Sequence, residues 1–346
     1  MGEIQNKELI VLIPLNHFRP KSSLRVPEHI ITRSKFPVID AHNHLKSIKD
    51  VGALLEDMAK YNIERIVDLD GETNGTDERQ LARLVQAHPD RFALFIQIDA
   101  SRVDEPDFAA YVANRVQDFV SRGATGIKFH KSLGLGVKDS TGKMLKPDDA
   151  RLRPIWEAAA RHNIPVTIHI ADPVSFFDTI DHTNERFEEL DEHPDWAFTD
   201  PKFYRYEELM VAQENLLRSN PETTFIVAHV GSMAEDLAGA GRMLDAFPNL
   251  YVDTAERIAE LGRQPYSARE FLIKYQDRVL YGTDLHPKDA NISANYRFYE
   301  TFDEYFEYND WDEHQQGRWN IYGVGLPDDV LKKIYHDNAM RIIFNK

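Results

Sequence analysis

The stretch Phe36-Pro37-Val38-Ile39-Asp40-Ala41-His42-Asn43-His44-Leu45 opens a pattern that the rest of the chain repeats. A short β-branched and apolar run ends in polar side chains, and an amphipathic helical segment, residues 51–61, follows it. Working outward, the same unit recurs with candidate strands at 38–44, 64–69, 92–98, 126–130, 165–170, 224–229, 250–254 and 279–283. Helical segments are predicted between them at 51–61, 77–88, 107–122, 152–162, 206–219, 234–247 and 268–275. A last helix, 327–343, opens on Pro327 and the acids Asp328 and Asp329, which suit the positive end of a helix. Eight strands alternating with eight helices predict a (β/α)8 barrel. The rival is a doubly wound open sheet. Against it, no G-x-G-x-x-G follows the first strand and no G-x-x-x-x-G-K-[ST] occurs anywhere in the sequence.

Three stretches fall outside the repeat. Residues 1–36 form an N-terminal extension expected to wrap the barrel or close its bottom, and 37–346 form a single barrel domain. Residues 171–205 and 287–326 are long, aromatic-rich connections after strands five and eight, the first carrying Trp196 and the second Trp311 and Trp319. Long βα connections lie on the active-site face of a barrel, so these two are expected to form a lid.

The 346 residues are 42% hydrophobic and 28% charged, which fits a globular chain and not a disordered or collagenous one. A net charge of −16 argues against a broad nucleic-acid or anionic-membrane surface and leaves a small molecule as the expected partner. With no cysteine, disulfides, thiolate metal sites and cysteine nucleophiles are all excluded for this sequence. No apolar run approaches the roughly 18 residues of a membrane span. The run 9–15 is short for a secretory core, is broken by Pro14 and follows Glu3 and Glu8. A cytoplasmic location is the expectation, with a trimmed leader left open.

The chemistry starts from His42 and His44. Side chains two apart on a strand share a face, so the pair projects together and can ligate one divalent metal. Strands five and six end in His169 and His229, and strand eight ends in Asp284. Polar residues at the C-terminal ends of apolar barrel strands stand where this fold places catalysts. The G-x-S-x-G elbow and the H-E-x-x-H helix are both missing from the sequence.

On Asp40-Ala-His42-Asn-His44, Gly126-Ile-Lys128-Phe-His130, Ile168-His169, Ala228-His229-Val-Gly231 and Gly282-Thr-Asp284, the sequence resembles the amidohydrolase superfamily, over roughly residues 36–344. The resemblance is to its amidohydrolase-related branch of TIM-barrel metal-dependent hydrolases and decarboxylases. It implies one divalent metal, usually zinc, held by His42, His44, His169 and Asp284, with His229 as an acid–base or polarising group. Three neutral imidazoles and a carboxylate leave a Zn²⁺ site near +1 and acidify bound water toward a pKa of about 7. Mn²⁺, Fe²⁺ or Co²⁺ also suit the donors. Asp284 then has a catalytic role beside its role as ligand, accepting or orienting the proton of the attacking water.

The expected reaction is hydrolysis of an amide, lactone or ester bond (C–N or C–O) in a small, polar, carboxylated substrate. Non-oxidative decarboxylation of a small acid is the alternative within enzymes, and a barrel that has lost its chemistry and only binds is the alternative outside them. The branch also suggests a homodimer.

Lys128 has three readings: a carboxylated lysine bridging a second metal, a cation for a substrate carboxylate, or an ion pair with Asp99 or Asp70. His130 can line the pocket or cap the loop 131–136. Arg205 can hold an anionic group or make a rim salt bridge, and Trp196 and His286 can form pocket wall. Asp40 can support His42 from beneath, and Asp253 and Arg257 follow strand seven and can reach the mouth. The acidic clusters 188–192 and 303–307 read as solvated faces.

Overall fold

The computed structural model describes residues 13–14, 17–288, 291–308 and 316–344; Trp311 and most of the run 9–15 lie outside them. The apolar runs become β1 (Val38–Asn43), β2 (Ile63–Asp68), β3 (Phe92–Ile96), β4 (Gly126–Phe129), β5 (Val166–Ile168), β6 (Phe225–Val227), β7 (Leu250–Asp253) and β8 (Val279–Leu280). They pair in sequence order and every pairing is parallel. The ring closes where the Ala41 amide donates to Tyr281 O (2.9 Å) and the Asp284 amide to His42 O (2.8 Å). This is the (β/α)8 TIM barrel, with strands buried on both faces.

Its interior is filled by Ile39, Val67, Leu69, Phe95, Ile226 and Leu280, while a larger apolar layer separates the strands from the helices. Phe95 explains Gly126 on the neighbouring strand, because a Cβ there would sit 2.5 Å from the Phe95 ring. Glycine makes room for the aromatic that plugs the barrel.

The helix at Val51–Tyr61 spans the predicted residues. The Asp50 carboxylate caps it by accepting from the Ala53 amide (3.0 Å), and Asn62 stops it at φ 66°. Tyr206–Ser219 likewise spans its predicted range. Other boundaries differ. The second helix runs Thr76–Gln80 and then widens to π winding at Leu81–Gln86. The single helix predicted over 327–343 is Asp328–Lys332 followed by π turns at Lys333–Asp337 and Met340–Phe344. Between those turns, the Asn338 side chain donates to Gln276 O and Val279 O, both 2.7 Å, pinning the segment under β8.

The segment after β8 is less of a lid than expected. It contains a further helix, Ile292–Glu300, which buries Tyr296 and Tyr299 against Tyr281 and Tyr335, with Phe298 against Tyr299. Those aromatics are barrel wall. The extension touches the outside of the barrel: Arg33 donates to Ala59 O and to Asn62 Oδ1 (2.8 Å), and Lys35 pairs with Asp328 (2.5 Å). Among the described residues, no helix is long and apolar enough to cross a membrane.

Candidate metal centre

The alternation of β1 turns Asp40, His42 and His44 into the mouth of the barrel. There His42 Nε2 and His44 Nε2 each lie 3.1 Å from Asp284 Oδ1, so one carboxylate oxygen is shared between two imidazoles. The opposite ring nitrogens are already committed. His42 Nδ1 meets Asp253 Oδ2 at 2.8 Å and His44 Nδ1 meets Asp70 Oδ1 at 2.7 Å. Protons placed on those Nδ1 atoms leave both Nε2 lone pairs bare.

The other two histidines show the same arrangement. His229 Nδ1 lies 2.8 Å from Ala255 O and takes its proton there, because a carbonyl can only accept. Its Nε2 faces His169 Nδ1 at 3.1 Å and Asp284 Oδ2 at 3.9 Å. His169 Nε2 points to Asp172 Oδ1 at 3.2 Å, and Lys131 pairs with the same carboxylate (2.7 Å).

A proton on His169 Nε2 leaves Nδ1 bare and aimed at another bare nitrogen. With every ring neutral, His42, His44 and Asp284 form one close donor group, and His169 Nδ1 reaches it through His229, an arrangement that suits a cation. The donor set fits a divalent ion of the zinc or manganese kind. A second grouping, His42, His229 and Asp253, is also close, but it is assembled by the His42 Nδ1–Asp253 hydrogen bond and so supports the first.

In the metal-free protein the charges adjust. Burial opposes a charge on His44, but Asp284 and Asp70 outweigh it and push its pKa up to about 9. Burial favours the acid form of Asp284, yet His42 and His44 hold its carboxyl well below the usual range. Burial, with His169 and Arg257, drives His229 well below 6.5, so it stays neutral. Beneath the site, Asp40 accepts from Thr283 Oγ1 (2.5 Å), Asn43 Nδ2 (2.8 Å) and the His42 amide (3.2 Å). Burial outweighs these bonds and raises its pKa to about 6.

Backbone strain gathers here. His229, Val230 and Ser232 have φ near 60°, Gly231 70°, Glu256 52° and Asp284 67°. β6 ends at Val227, two residues short of the predicted strand, because the chain turns left-handed as the His229 amide donates to Asp253 Oδ1 (2.9 Å). A β-branched residue in that conformation is costly and marks a position held for function.

Lys128 Nζ lies 3.4 Å from His42 Nε2. Its ion-pair reading fails: Asp70 is spent on His44, Asp99 caps Ser101, and no carboxylate among the described residues lies within 4.0 Å of Nζ. Burial brings its pKa down to about 8 against the pull of Asp284, Asp253 and Asp70. His130 packs 5.5 Å from His44, ring to ring.

Above the cluster opens a cavity of about 650 Å³ lined in part by Lys128, His130, Trp196, Glu256, Arg257 and Tyr308. Arg205 is not part of it; the residue is exposed at the start of Tyr206–Ser219 and faces Glu207 (3.6 Å). His286 is buried beside the cavity without lining it, its Nδ1 accepting from the Lys288 amide (3.0 Å).

Arg186 and Glu256 were not singled out in the sequence, where nothing separates them from surface charges, and Glu189 entered only within the cluster 188–192. The acidic clusters are not uniformly solvated either. Glu189 pairs with buried Arg186 (2.8 Å), and Asp303 is buried against Arg297 (2.7 Å).

Residues 16–344 match the family model described as amidohydrolase. No curated protein matches the sequence. Among solved structures, the chain is similar to 2,6-dihydroxybenzoate decarboxylase from Rhizobium, with 18% identity, TM-score 0.54, and 89% of this chain and 98% of that one covered. It is similar to dihydroxybenzoic acid decarboxylase from Polaromonas sp. JS666 with bound manganese and 2-nitroresorcinol, at 16% identity, TM-score 0.55, and 89% and 96% coverage. It is also similar to a probable 2-pyrone-4,6-dicarboxylic acid hydrolase from Acinetobacter baumannii, at 11% identity, TM-score 0.51, and 89% and 99% coverage. At these identities the likeness is one of fold. With the family model spanning nearly the whole sequence and the His–His–Asp cluster at the mouth of the barrel, the chain belongs to the amidohydrolase family.

Proposed function

We propose that this chain is a metal-dependent hydrolase of a small, carboxylated molecule, cleaving an amide, lactone or ester bond. One observation carries the reading: Asp284 is ionised and divided, with Oδ1 on the two β1 histidines and Oδ2 toward His229. A carboxylate so placed is a base in the resting site, as water attack requires. A bound divalent cation, held by His42, His44, His169 and Asp284, would supply a Lewis acid and make water acidic enough to attack at neutral pH.

The chain's own residues do the rest. Asp284 accepts the proton of the attacking water. His229, fixed by Ala255 O, presents a bare Nε2 to orient it. Lys128 pairs with the substrate carboxylate. Asp253 and Asp70 keep the β1 imidazoles in the tautomer the site needs.

A second reading, non-oxidative decarboxylation, has specific support. Two solved structures of this fold are named as decarboxylases of dihydroxybenzoic acids. Lys128 and Glu256 both titrate at about 8 in the cavity and could protonate a carbon left by carbon dioxide.

The test is a panel of carboxylated lactones, amides, esters and aromatic acids offered to protein loaded with Zn²⁺ or Mn²⁺, with products read by NMR. The expectation is hydrolysis, about one bound metal per chain, and loss of that metal in His44→Ala. Carbon dioxide release without hydrolysis supports the second reading. Two metals would favour a carboxylated Lys128, and no metal after reconstitution would favour a binding-only barrel.

A further inference from the structure

We propose that Arg257 and the Tyr308 hydroxyl form a second anion subsite in the cavity, so that the substrate carries two carboxylates, one held at Lys128 and the other at Arg257. The first carboxylate rests on the reading above; the second rests on what surrounds Arg257. This side chain is only 7% exposed, and it lines the cavity. A guanidinium has five donors, yet among the described residues the Arg257 side chain makes a single hydrogen bond, from Nη1 to Glu256 O (2.7 Å). No described carboxylate, Asp284 included, lies within 4.0 Å of it. A buried guanidinium without an acid is expensive, and such charges persist where a partner arrives from outside.

The neighbouring acids are already committed. Arg186, buried in the same wall, bonds Glu260 and Glu189 (2.8 Å to the latter), so both carboxylates make their direct contacts there and not with Arg257. Glu256 adjoins Arg257 in sequence, but its carboxylate accepts from Gln316 Nε2 (2.9 Å) and lies beyond 4.0 Å of the guanidinium. The guanidinium thus feels Glu189, Glu235, Glu256 and Glu260 only at longer range, and none of these carboxylates touches it.

The Tyr308 hydroxyl supplies a matching donor. The residue is buried and lines the same cavity, and among the described residues its hydroxyl has no hydrogen-bond partner. Burial pushes its pKa up, so it keeps its proton and can donate to an anion. A fork of guanidinium donors and one O–H suit a planar carboxylate, which accepts through both oxygens.

The probes are isophthalate, with two carboxylates, and benzoate, with one, titrated calorimetrically into the full chain with and without added Mn²⁺. A charge-assisted arginine contact predicts that wild-type protein binds isophthalate at least about tenfold more tightly than benzoate. Arg257→Met should remove that preference while changing benzoate affinity less than about twofold, and Tyr308→Phe should weaken isophthalate by about threefold to tenfold. Arg257→Lys, which keeps the charge and loses the fork, should fall between.

Equal affinity for the two probes in wild type, no binding at millimolar concentrations, or equal loss of both probes in Arg257→Met would overturn the subsite. Mn²⁺ stoichiometry measured on each variant separates misfolding from loss of the contact; if Arg257→Met misfolds, Arg257→Lys decides. Because the readout is binding, a protein that retains the isophthalate preference but never hydrolyses anything would sink the hydrolase reading and leave the subsite standing.

Discussion

At the residue scale, the four histidines are set by their second nitrogens. Asp253, Asp70, Asp172 and the Ala255 carbonyl each take one; of the remaining four, two face Asp284 and two face each other. Without a cation, protons must relieve that crowding, and this makes stability depend on pH. His44 has a folded pKa of about 9 against 6.5 unfolded, so its contribution is fully present below pH 6.5 and is lost as pH rises toward 9. Asp40 and Asp68, raised to about 6 and about 7 by burial, also contribute only in the acid form and lose stability as pH rises from about 4 to about 7.

Chelated protein should therefore lose Tm steadily from pH 6 to pH 9. Metal-loaded protein, whose His44 carries no proton, should lose less, and the gap should widen by roughly 2 kcal/mol over that interval. Parallel Tm curves for the two forms in a calorimetric pH series would contradict this account. The imidazoles and Asp284 were legible in the sequence because they end apolar strands at regular intervals. Their partners were only half legible: Asp70 was offered, beside Asp99, in one of three readings of Lys128, and its partner His44 follows from a register that only the closed ring supplies.

At the element scale, the strands that carry the site are short where they close. β8 pairs over two residues, and the junction with β1 depends on the amides of Ala41 and Asp284. Gly282 lies in that junction, and a Cβ there would sit 2.8 Å from His42 Cβ and 3.3 Å from Ala255 Cβ. Neither is the tip of a flexible side chain, so β1 and β8 would have to part. Gly282→Ala should cost about 1–3 kcal/mol by overpacking. Because the same movement separates His42 from Asp284, Mn²⁺ affinity should fall at least about tenfold, as happens when the supports of metal ligands are disturbed. Unchanged Mn²⁺ affinity in an equilibrium titration would show that the closure does not set the site.

Element boundaries were legible where local caps act, as at Asp50 and Asn62, and misread where side chains serve the mouth. Alternation continues through His229 in the sequence, but the backbone leaves the sheet at Val227 to aim that ring. The helix Ile292–Glu300 was hidden because its aromatics read as a loop with a ligand to hold, whereas they pack on Tyr281 and Tyr335.

At the scale of the whole molecule, the segments after β5 and β8 meet over the cavity and are joined by charge. The Glu188 carboxylate accepts from Arg318 Nε (2.5 Å) and Nη2 (2.6 Å), and the same guanidinium donates to Phe18 O, so one arginine ties both segments to the extension. Gln316 Nε2 adds a bond to Glu256 Oε2 (2.9 Å), linking this junction to the wall that holds Arg257. The helix Ile292–Glu300 belongs to the barrel core, whereas the Glu188–Arg318 and Gln316–Glu256 links lie outside it. Local opening of the part after β5 and of the stretch around Arg318, with Ile292–Glu300 left in place, should therefore cost far less than global unfolding.

Removing the Glu188 carboxylate deletes a two-pronged but partly exposed ion pair, worth about 1 kcal/mol. If that energy resists opening alone, the open population in Glu188→Ala rises roughly fivefold, and tryptic cleavage at the exposed Lys202 and Arg205 accelerates by the same factor. The Tm should shift by only a degree or two, in contrast to Gly282→Ala. Unchanged cleavage would mean the segments are held by their apolar contacts, with Phe177, Phe198 and Phe203 packed ring against ring. A large fall in Tm would mean instead that the lid and the barrel unfold as one unit.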